Sequence, residues 1–194
     1  PRYSGLPPGI QRDVRHFFGS HAAFIAGATH LLSRLRNREE IEASFRRSAA
    51  SGHATLKDGV LSFSMANEAE LDALARVVLG CAELISPGFT QSDAVDIGPD
   101  PSRIVGYVCR DFGRQLPRLV SIRKVSLSRL TARNVDLEDG VLYGKGRFMS
   151  NFDVGRAVQL RLDERLENLG LVDRVHRGPS SAQLSAILAR AKQA

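Results

Sequence analysis

The fold class follows from residues 104–137, which read IVGYVCRDFGRQLPRLVSIRKVSLSRLTARNVDL. Apolar and β-branched residues predict short strands at Ile104–Arg110, Leu119–Leu127 and Leu130–Leu137. The turns between these strands are too short for the crossover helix that parallel neighbours need. We therefore expect an α+β fold with a small antiparallel or mixed sheet.

Strand signals continue on both sides of this stretch. Residues 55–66 form a strand-turn-strand pattern around Asp58–Gly59, a dipeptide suited to the positive φ angles of a hairpin turn. Another strand is predicted at Ala94–Ile97. The same dipeptide recurs at Asp139–Gly140 and predicts a second hairpin turn before a strand at Val141–Met149.

Helical periodicity dominates the first fifty residues and the end of the chain. Ser20 is a natural N-cap, and Asn67 with Glu70 three residues later resembles a capping box. The predicted helices are 8–18, 20–35, 38–48, 68–85, 154–168 and 181–191. Two of them carry apolar stripes that predict core faces, namely Phe24, Ala28, Leu31, Leu32 and Leu35, and Leu71, Leu74, Val78, Cys81 and Ile85.

These elements predict one α+β domain over residues 1–176 and a C-terminal helical tail over 177–194. Within the domain, residues 1–50 form a helical segment packed on the sheet-containing core at 51–176. At 194 residues the chain is long enough to bury a core without staples. Two cysteines without CxxC spacing favour a reducing, cytoplasmic location, and the short apolar runs predict no membrane partner.

Positive charge is concentrated in one region of the chain. The net charge is +6, and 23 of the 27 basic residues are arginine. Between residues 103 and 133, eight cations accompany the single carboxylate Asp111. If these side chains converge, they form a surface that binds phosphates. The predicted phosphate-binding residues are Arg110, Arg114, Arg118, Arg123, Lys124, Arg129 and Arg133, with Lys145 and Arg147 as additions from the neighbouring strand. The alternative is a solvated face paired with the acidic 58–100 segment.

Familiar catalytic and cofactor motifs are absent from the sequence. Gly144–Gly146 contains a Gly-Lys pair but lacks the spacing of a Walker loop, and no nucleophile elbow or dinucleotide fingerprint occurs. His16 and His30 lie too far apart along a continuous helix to share a metal ion. We predict no metal and no cofactor, and leave enzymatic activity undecided.

The segment LPPGIQRDVRHFFGSHAAFIAGATHLL, Leu6–Leu32, resembles the start of the DNA phosphorothioation-associated methyltransferase family, whose members open with similar Leu-Pro, Gln-x-Asp and Phe-Phe-Gly-Ser elements. The resemblance covers most of residues 6–172 and implies a place in a DNA-modification or defence system. Weaker similarities follow in the same order at Asp58–Leu61, Gly80–Ala82, Asp111–Phe112, Pro117, Leu119 and Leu162–Leu171.

The chain also departs from that family. Ser62–Ser64, Gly113–Leu116 and Tyr143–Gly146 stand where the family shows histidine-bearing and acidic segments. No acidic segment followed by a glycine-rich loop is present to cradle S-adenosylmethionine. The resemblance therefore does not extend to methyl transfer, and the chain is either a front domain of a longer protein or a diverged relative.

Three functions remain open at this point. The first is an accessory or nucleic-acid-recognising domain that binds the phosphate backbone. The second is a small-molecule-modifying enzyme or fragment with a pocket near Cys81 or Cys109. The third is a protein-interaction module, which docks a partner of a modification system through the acidic 58–100 face or the helix Ser181–Ala191.

Overall fold

A computed structural model describes residues 3–100, 103–168, 170, 179–180 and 183–184 of the chain. Its centre is one six-stranded sheet in which every strand pairs antiparallel with its neighbours in sequence. Helices cover one face of this sheet. The prediction of an α+β fold is confirmed, and the sheet is antiparallel rather than mixed.

The described ranges contain five α-helices and six strands. The helices are α1 Pro8–Phe18, α2 His21–Arg34, α3 Arg38–Ala50, α4 Ala73–Ile85 and α5 Arg156–Asn168. The strands are β1 Thr55–Lys57, β2 Val60–Ser64, β3 Ala94–Ile97, β4 Ile104–Arg110, β5 Arg118–Ser126 and β6 Thr131–Val141. None of these helices combines the length and apolar content that crossing a membrane requires.

One face of the sheet, called here the helical face, packs against α3 and α4. Phe45 of α3 and Leu79 of α4 meet Phe63, Val95 and Ile104 in a continuous apolar core. All five side chains are buried. Burial of apolar side chains is the main favourable contribution to folding, so this layer anchors the domain.

The opposite face, called here the outer face, is only partly covered. Its apolar residues include Ala94, Tyr107 and Ile122, which pack with Phe148. Phe148 ends a 3-10 turn at Lys145–Phe148 that lies over this face. Because successive residues of a strand point to opposite faces, each residue of β2–β6 is assigned to a face by the register.

The hairpin turn predicted at Asp58–Gly59 is confirmed. It joins β1 to β2, with Lys57 opposite Val60. Asp58 has φ +52° and Gly59 has φ +75°, the two positive values that this hairpin turn needs.

The identical dipeptide at Asp139–Gly140 does not form a turn, and that prediction is wrong. β6 continues through both residues to Val141, with a register irregularity against β5 between Leu119 and Ser121. A Cβ on Gly140 would lie 2.7 Å from the Leu119 carbonyl oxygen, so glycine serves close strand approach here. The strand expected at Val141–Met149 is replaced by the Lys145–Phe148 turn.

The start of α4 also differs from the prediction. Residues Met65–Glu70 form a 3-10 turn, and Leu71 is extended. The helix begins after Asp72, whose carboxylate accepts from the Leu74 amide at 3.1 Å. The capping box predicted from Asn67 and Glu70 is therefore wrong, because Asp72 takes the N-cap position.

The core face predicted for α2 is confirmed only at Leu35, which is partly buried against the apolar core just after the helix. No residue of α2 is buried, and Leu32 is 51% exposed. Ser20 does cap the helix, accepting from the Ala23 amide at 3.1 Å. α2 packs at the edge of the helical layer rather than within it, so its apolar residues are half-buried at most. The predicted helix 181–191 lies outside the described residues except for 183–184.

Candidate nucleic-acid interface

Basic side chains lie in a row on the outer face near the turn that joins β5 to β6. We call this end of the outer face the open end. Lys124 of β5 and Arg133 of β6 are register partners, and Lys124 is also the partner of Val105. Because Val105 packs on the outer face, Lys124 and Arg133 point to that face too. Both side chains are exposed. Two cations therefore stand side by side across neighbouring strands.

Four further polar residues lie at this end of the sheet. Arg103 precedes β4 by one residue, on the same alternation as Val105, and is exposed. Ser126 and Thr131 are the next register partners on the outer face. Arg129 is exposed in the turn that joins β5 to β6. We call Arg103, Lys124, Arg129 and Arg133 the open-end cations.

The open-end cations have no anionic partners in the described part of the chain. None of the four forms an ion pair with a described carboxylate. Like charges directly opposite on neighbouring strands destabilise a sheet, so the Lys124–Arg133 pair costs the fold free energy. An anion placed between the two side chains would remove that repulsion.

A buried carboxylate lies on the same sheet row, next to the open end. Asp96 of β3 is the register partner of Val105 and Ser62. It accepts hydrogen bonds from Ser62 Oγ at 2.6 Å and Tyr107 Oη at 2.8 Å, and it pairs with Arg147 Nη2. These three donors satisfy the buried charge, which would otherwise be costly.

Tyr107 stays protonated in this cluster. Burial raises the pKa of its hydroxyl, and the Asp96 carboxylate raises it further, while Arg147 and Arg103 act in the opposite direction. The hydroxyl therefore remains a hydrogen-bond donor to Asp96. The action of Arg103 on this group also fits its place on the outer face.

Arg147 connects the cluster to the surface. Its guanidinium lies 4.7 Å from the Phe148 ring centroid, and 34% of its side chain is exposed. Its Nε is buried and has no hydrogen-bond partner among the described residues. Because Asp96 already neutralises it, Arg147 contributes less to a phosphate surface than the open-end cations.

Helix α5 fixes the turn that carries Arg147. Asp163 accepts from the Gly146 amide at 2.8 Å and from Gln159 Nε2 at 2.8 Å. Burial raises the pKa of Asp163 even though both hydrogen bonds act to lower it. A Cβ on Gly146 would lie 2.7 Å from Leu160 and 2.8 Å from Asp163, so a larger residue would displace these side chains of α5.

Lys145 points into the protein rather than outward. It is buried, its Nζ donates to the Arg114 carbonyl at 2.7 Å, and it lies 5.1 Å from the Phe112 ring centroid. Burial lowers the pKa of Lys145. The side chain holds the Lys145–Phe148 turn to the segment after β4, and is placed for packing.

The other predicted cations are scattered around the sheet. Arg123 points to the helical face, where its guanidinium lies near Gly88. Arg110 and Arg118 are register partners at the far end of β4 and β5, and Arg118 donates to the Glu138 carbonyl at 2.7 Å. Arg114 forms an exposed ion pair with Asp111 at 3.5 Å. The structure thus pairs Lys124 with Arg133, places Arg129 in the adjoining turn and separates the rest.

Asp96 and Ser62 were missed as polar-cluster residues by sequence reasoning. Asp96 stands in the otherwise apolar strand Ala94–Ile97, and Ser62 stands between Leu61 and Phe63 in Val60–Ser64. A carboxylate in such a strand needs a cationic or hydroxyl partner on the same face. That signal predicts a partner but does not identify Arg147, which lies far away in sequence.

The two thiols lie on different sides of the sheet. Cys109 packs against the outer-face cluster, and Cys81 lies on α4. Burial and the nearby Asp93 carboxylate raise the pKa of Cys109 to about 12, and burial raises that of Cys81. Neither thiol is activated as a nucleophile. Within the described ranges, no three His, Cys, Asp or Glu side chains are grouped to hold a metal ion.

Comparison with known proteins adds no relative. No family model, curated protein or solved structure matches the chain.

Proposed function

We propose that this chain is a nucleic-acid-binding accessory domain, which holds the phosphate backbone on the open end of its outer face. The observation that carries the proposal is the Lys124–Arg133 register pair, exposed and without a described carboxylate partner. Its place in a DNA-modification or defence system rests on the resemblance of Leu6–Leu32.

The chemistry of the open end suits phosphate. Arginine presents a planar fork that binds two phosphate oxygens, and lysine supplies a compact charge. Ser126 and Thr131 add hydroxyl donors beside the cations. Side chains of this kind fix a protein on the backbone without distinguishing bases. Binding is therefore expected to be independent of sequence.

The residue types of this surface favour contact with the phosphate backbone over base stacking. The outward-facing residues of the open end are Arg103, Lys124, Ser126, Thr131 and Arg133, and none of them is aromatic. Single-strand binders use aromatic side chains on which bases stack. A surface without them is expected to bind duplex and single-stranded DNA through the same phosphate contacts.

A salt titration tests the proposal. Fluorescence anisotropy with duplex DNA is expected to give a log K against log salt slope of about −3 to −4, from four open-end cations. The variant K124Q/R133Q is expected to reduce the magnitude of this slope by about 2 and weaken binding at every salt concentration.

Arg110 and Arg118 provide the matched control. They are also a basic register pair of β4 and β5, at the far end of the strands. The variant R110Q/R118Q is expected to bind DNA with a slope close to wild type. Equal losses in both variants would show a diffuse basic surface, and no binding by wild type at low salt would refute the proposed function.

A further inference from the structure

A second basic site lies on α1, on the helical side of the molecule. An open depression of about 440 Å³ separates the first described residues from this helix. The volume falls in the range of about 300–1,000 Å³ typical of small-molecule sites. Its lining is polar rather than apolar, which indicates a charged ligand. The lining residues are Tyr3, Pro8, Gln11, Arg12, Arg15 and His16.

Most residues that line the depression lie on one side of α1. Positions 8, 11, 12, 15 and 16 fall on one stripe of a helix, because three or four residues complete a turn. The opposite stripe contains Ile10, Val14 and Phe17. α1 therefore separates its charges from its apolar residues and turns the charges toward the depression.

The segment Tyr3–Leu6 is held to the helix by two side-chain hydrogen bonds. Tyr3 Oη donates to the Gln11 carbonyl at 2.7 Å, and Gln11 Nε2 donates to the Leu6 carbonyl at 2.7 Å. The Tyr3 ring is thereby held near Arg15, whose guanidinium carbon lies 5.9 Å from the ring centroid. An aromatic ring and a guanidinium group are thus adjacent in the lining of the depression.

No carboxylate of the described residues lines the depression. Neither Arg12 nor Arg15 forms an ion pair within the described residues. The N-cap residue of α1 is Pro7, which makes no side-chain capping bond. Arg12 follows the first turn and Arg15 lies in the last turn, so the positive charge of the depression comes from the two guanidinium groups rather than from the helix dipole.

We propose that this depression binds a phosphate monoester, with the phosphoryl group between Arg12 and Arg15 and the organic part against Tyr3. Two guanidinium forks favour a dianion over a single carboxylate. The space exceeds that of a phosphate ion alone, so the ester group has room. The same chemistry occurs in a small nucleotide and at the 5′-phosphate end of a nucleic acid.

Amide chemical shifts recorded by NMR test where and what the site binds. Inorganic phosphate and adenosine 5′-monophosphate are expected to shift the amides of Tyr3–Phe18, and adenosine is expected to leave them unchanged. The variant R12Q/R15Q is expected to weaken both phosphate probes at least about tenfold, the effect of losing charge-assisted hydrogen bonds.

A control arginine separates the site from general positive charge. Arg46 is exposed on α3 and has no ion pair with a described carboxylate, so R46Q is expected to bind the probes like wild type. Arg12 and Arg15 are exposed, and an unchanged thermal midpoint of R12Q/R15Q shows that its fold is kept. The variant Y3F keeps the ring but loses the hydrogen bond from the Tyr3 hydroxyl to the Gln11 carbonyl. It therefore tests whether this bond holds the segment Tyr3–Leu6 on the helix.

A pair of oligonucleotides distinguishes the two sources of the monoester. In the K124Q/R133Q background, a 5′-phosphorylated strand that binds about tenfold tighter than its 5′-hydroxyl twin assigns the site to nucleic-acid ends. Equal binding of the strands, with retained binding of the mononucleotide, assigns it to a small molecule. Absence of shifts with both phosphate probes, or equal shifts with adenosine, would overturn the proposal while leaving the open-end cations untouched.

Discussion

The two faces of the sheet are stabilised by different interactions. On the helical face, Phe63, Val95 and Ile104 meet α3 and α4 in an apolar layer. On the outer face, Asp96 and Arg147 lie among apolar residues, and the Asp96 carboxylate accepts from two hydroxyl groups as well as from Arg147. On the helical face, the stability lost in a variant depends on the apolar volume removed. On the outer face, it depends on whether each partner of the buried charge is kept.

The difference explains where exposed charge is found. The helical face is covered by long helices, and its one sheet cation beside α4, Arg123, lies near the Glu83 carboxylate. Over the outer face lies a short turn that α5 holds in place; this turn reaches Asp96 through Arg147, while Lys124 and Arg133 stay exposed. The less covered face therefore provides the surface available to a partner.

Removing apolar volume from the helical face is expected to have the largest effect on stability. Phe63 is fully buried, and F63A leaves a cavity in the layer between sheet and helices. The expected loss in the free energy of unfolding is about 3–5 kcal/mol, measured by urea denaturation. The control L130A changes a side chain that is 74% exposed and is expected to cost under about 0.5 kcal/mol. A small effect of F63A would show that this layer is not the main core.

Breaking the charged cluster of the outer face is expected to cost less. D96N removes the carboxylate that pairs with Arg147 and accepts from Ser62 and Tyr107. We expect a loss of about 2 kcal/mol, below that for a fully buried pair, because Arg147 is partly exposed. The exposed pair Asp111–Arg114 is the control, and D111N is expected to change stability by under about 0.5 kcal/mol. Equal effects would mean that the buried pair adds no more than a surface pair.

The smallest of these effects is a pH dependence at the rim of the helical layer. Burial acts to raise the pKa of Asp72, but hydrogen bonds from Arg47, Ser44 and the Leu74 amide outweigh it and hold the pKa at about 2. A lowered pKa adds stability that is present above the ordinary value of 3.8 and is lost as pH falls through about 2.

The variant D72N keeps a side chain that can cap α4 but cannot ionise. Between pH 5 and pH 2, wild type is expected to lose about 1 kcal/mol more stability than D72N, in urea unfolding curves across that range. D13N, at an exposed carboxylate of α1 without a described ion pair, should follow the wild-type curve. Parallel curves for wild type and D72N would contradict the pairing of Asp72.

Local sequence signals predicted the elements whose causes are local. Asp58–Gly59 forms its hairpin because two positive φ angles and short flanking strands are enough. Most strand and helix positions were predicted for the same reason, since apolar alternation and periodicity reflect which face is buried. Predicting that Lys124 lies beside Arg133 would have required the register of β5 and β6, which cannot be read from the sequence.

Features set by distant contacts were not predictable. The tetrapeptide Asp-Gly-Val-Leu occurs twice, and only its first copy turns, because the second pairs along β5. Arg147 pairs with Asp96 across 51 residues, so its basic character gave no sign of a structural role. α4 starts after Asp72 because the carboxylate of this residue also accepts hydrogen bonds from α3. A capping rule considers only neighbouring residues and does not predict this contact.

The strand order has a consequence for how the sheet is assembled during synthesis. Every strand pairs with the strands just before and after it in the chain. No strand therefore waits for a partner beyond the next one, and the cost of closing each loop stays small. Only the step from β2 to β3 spans a longer segment, which contains α4. The sheet can grow from β1 to β6 with its newest strand always at the open edge.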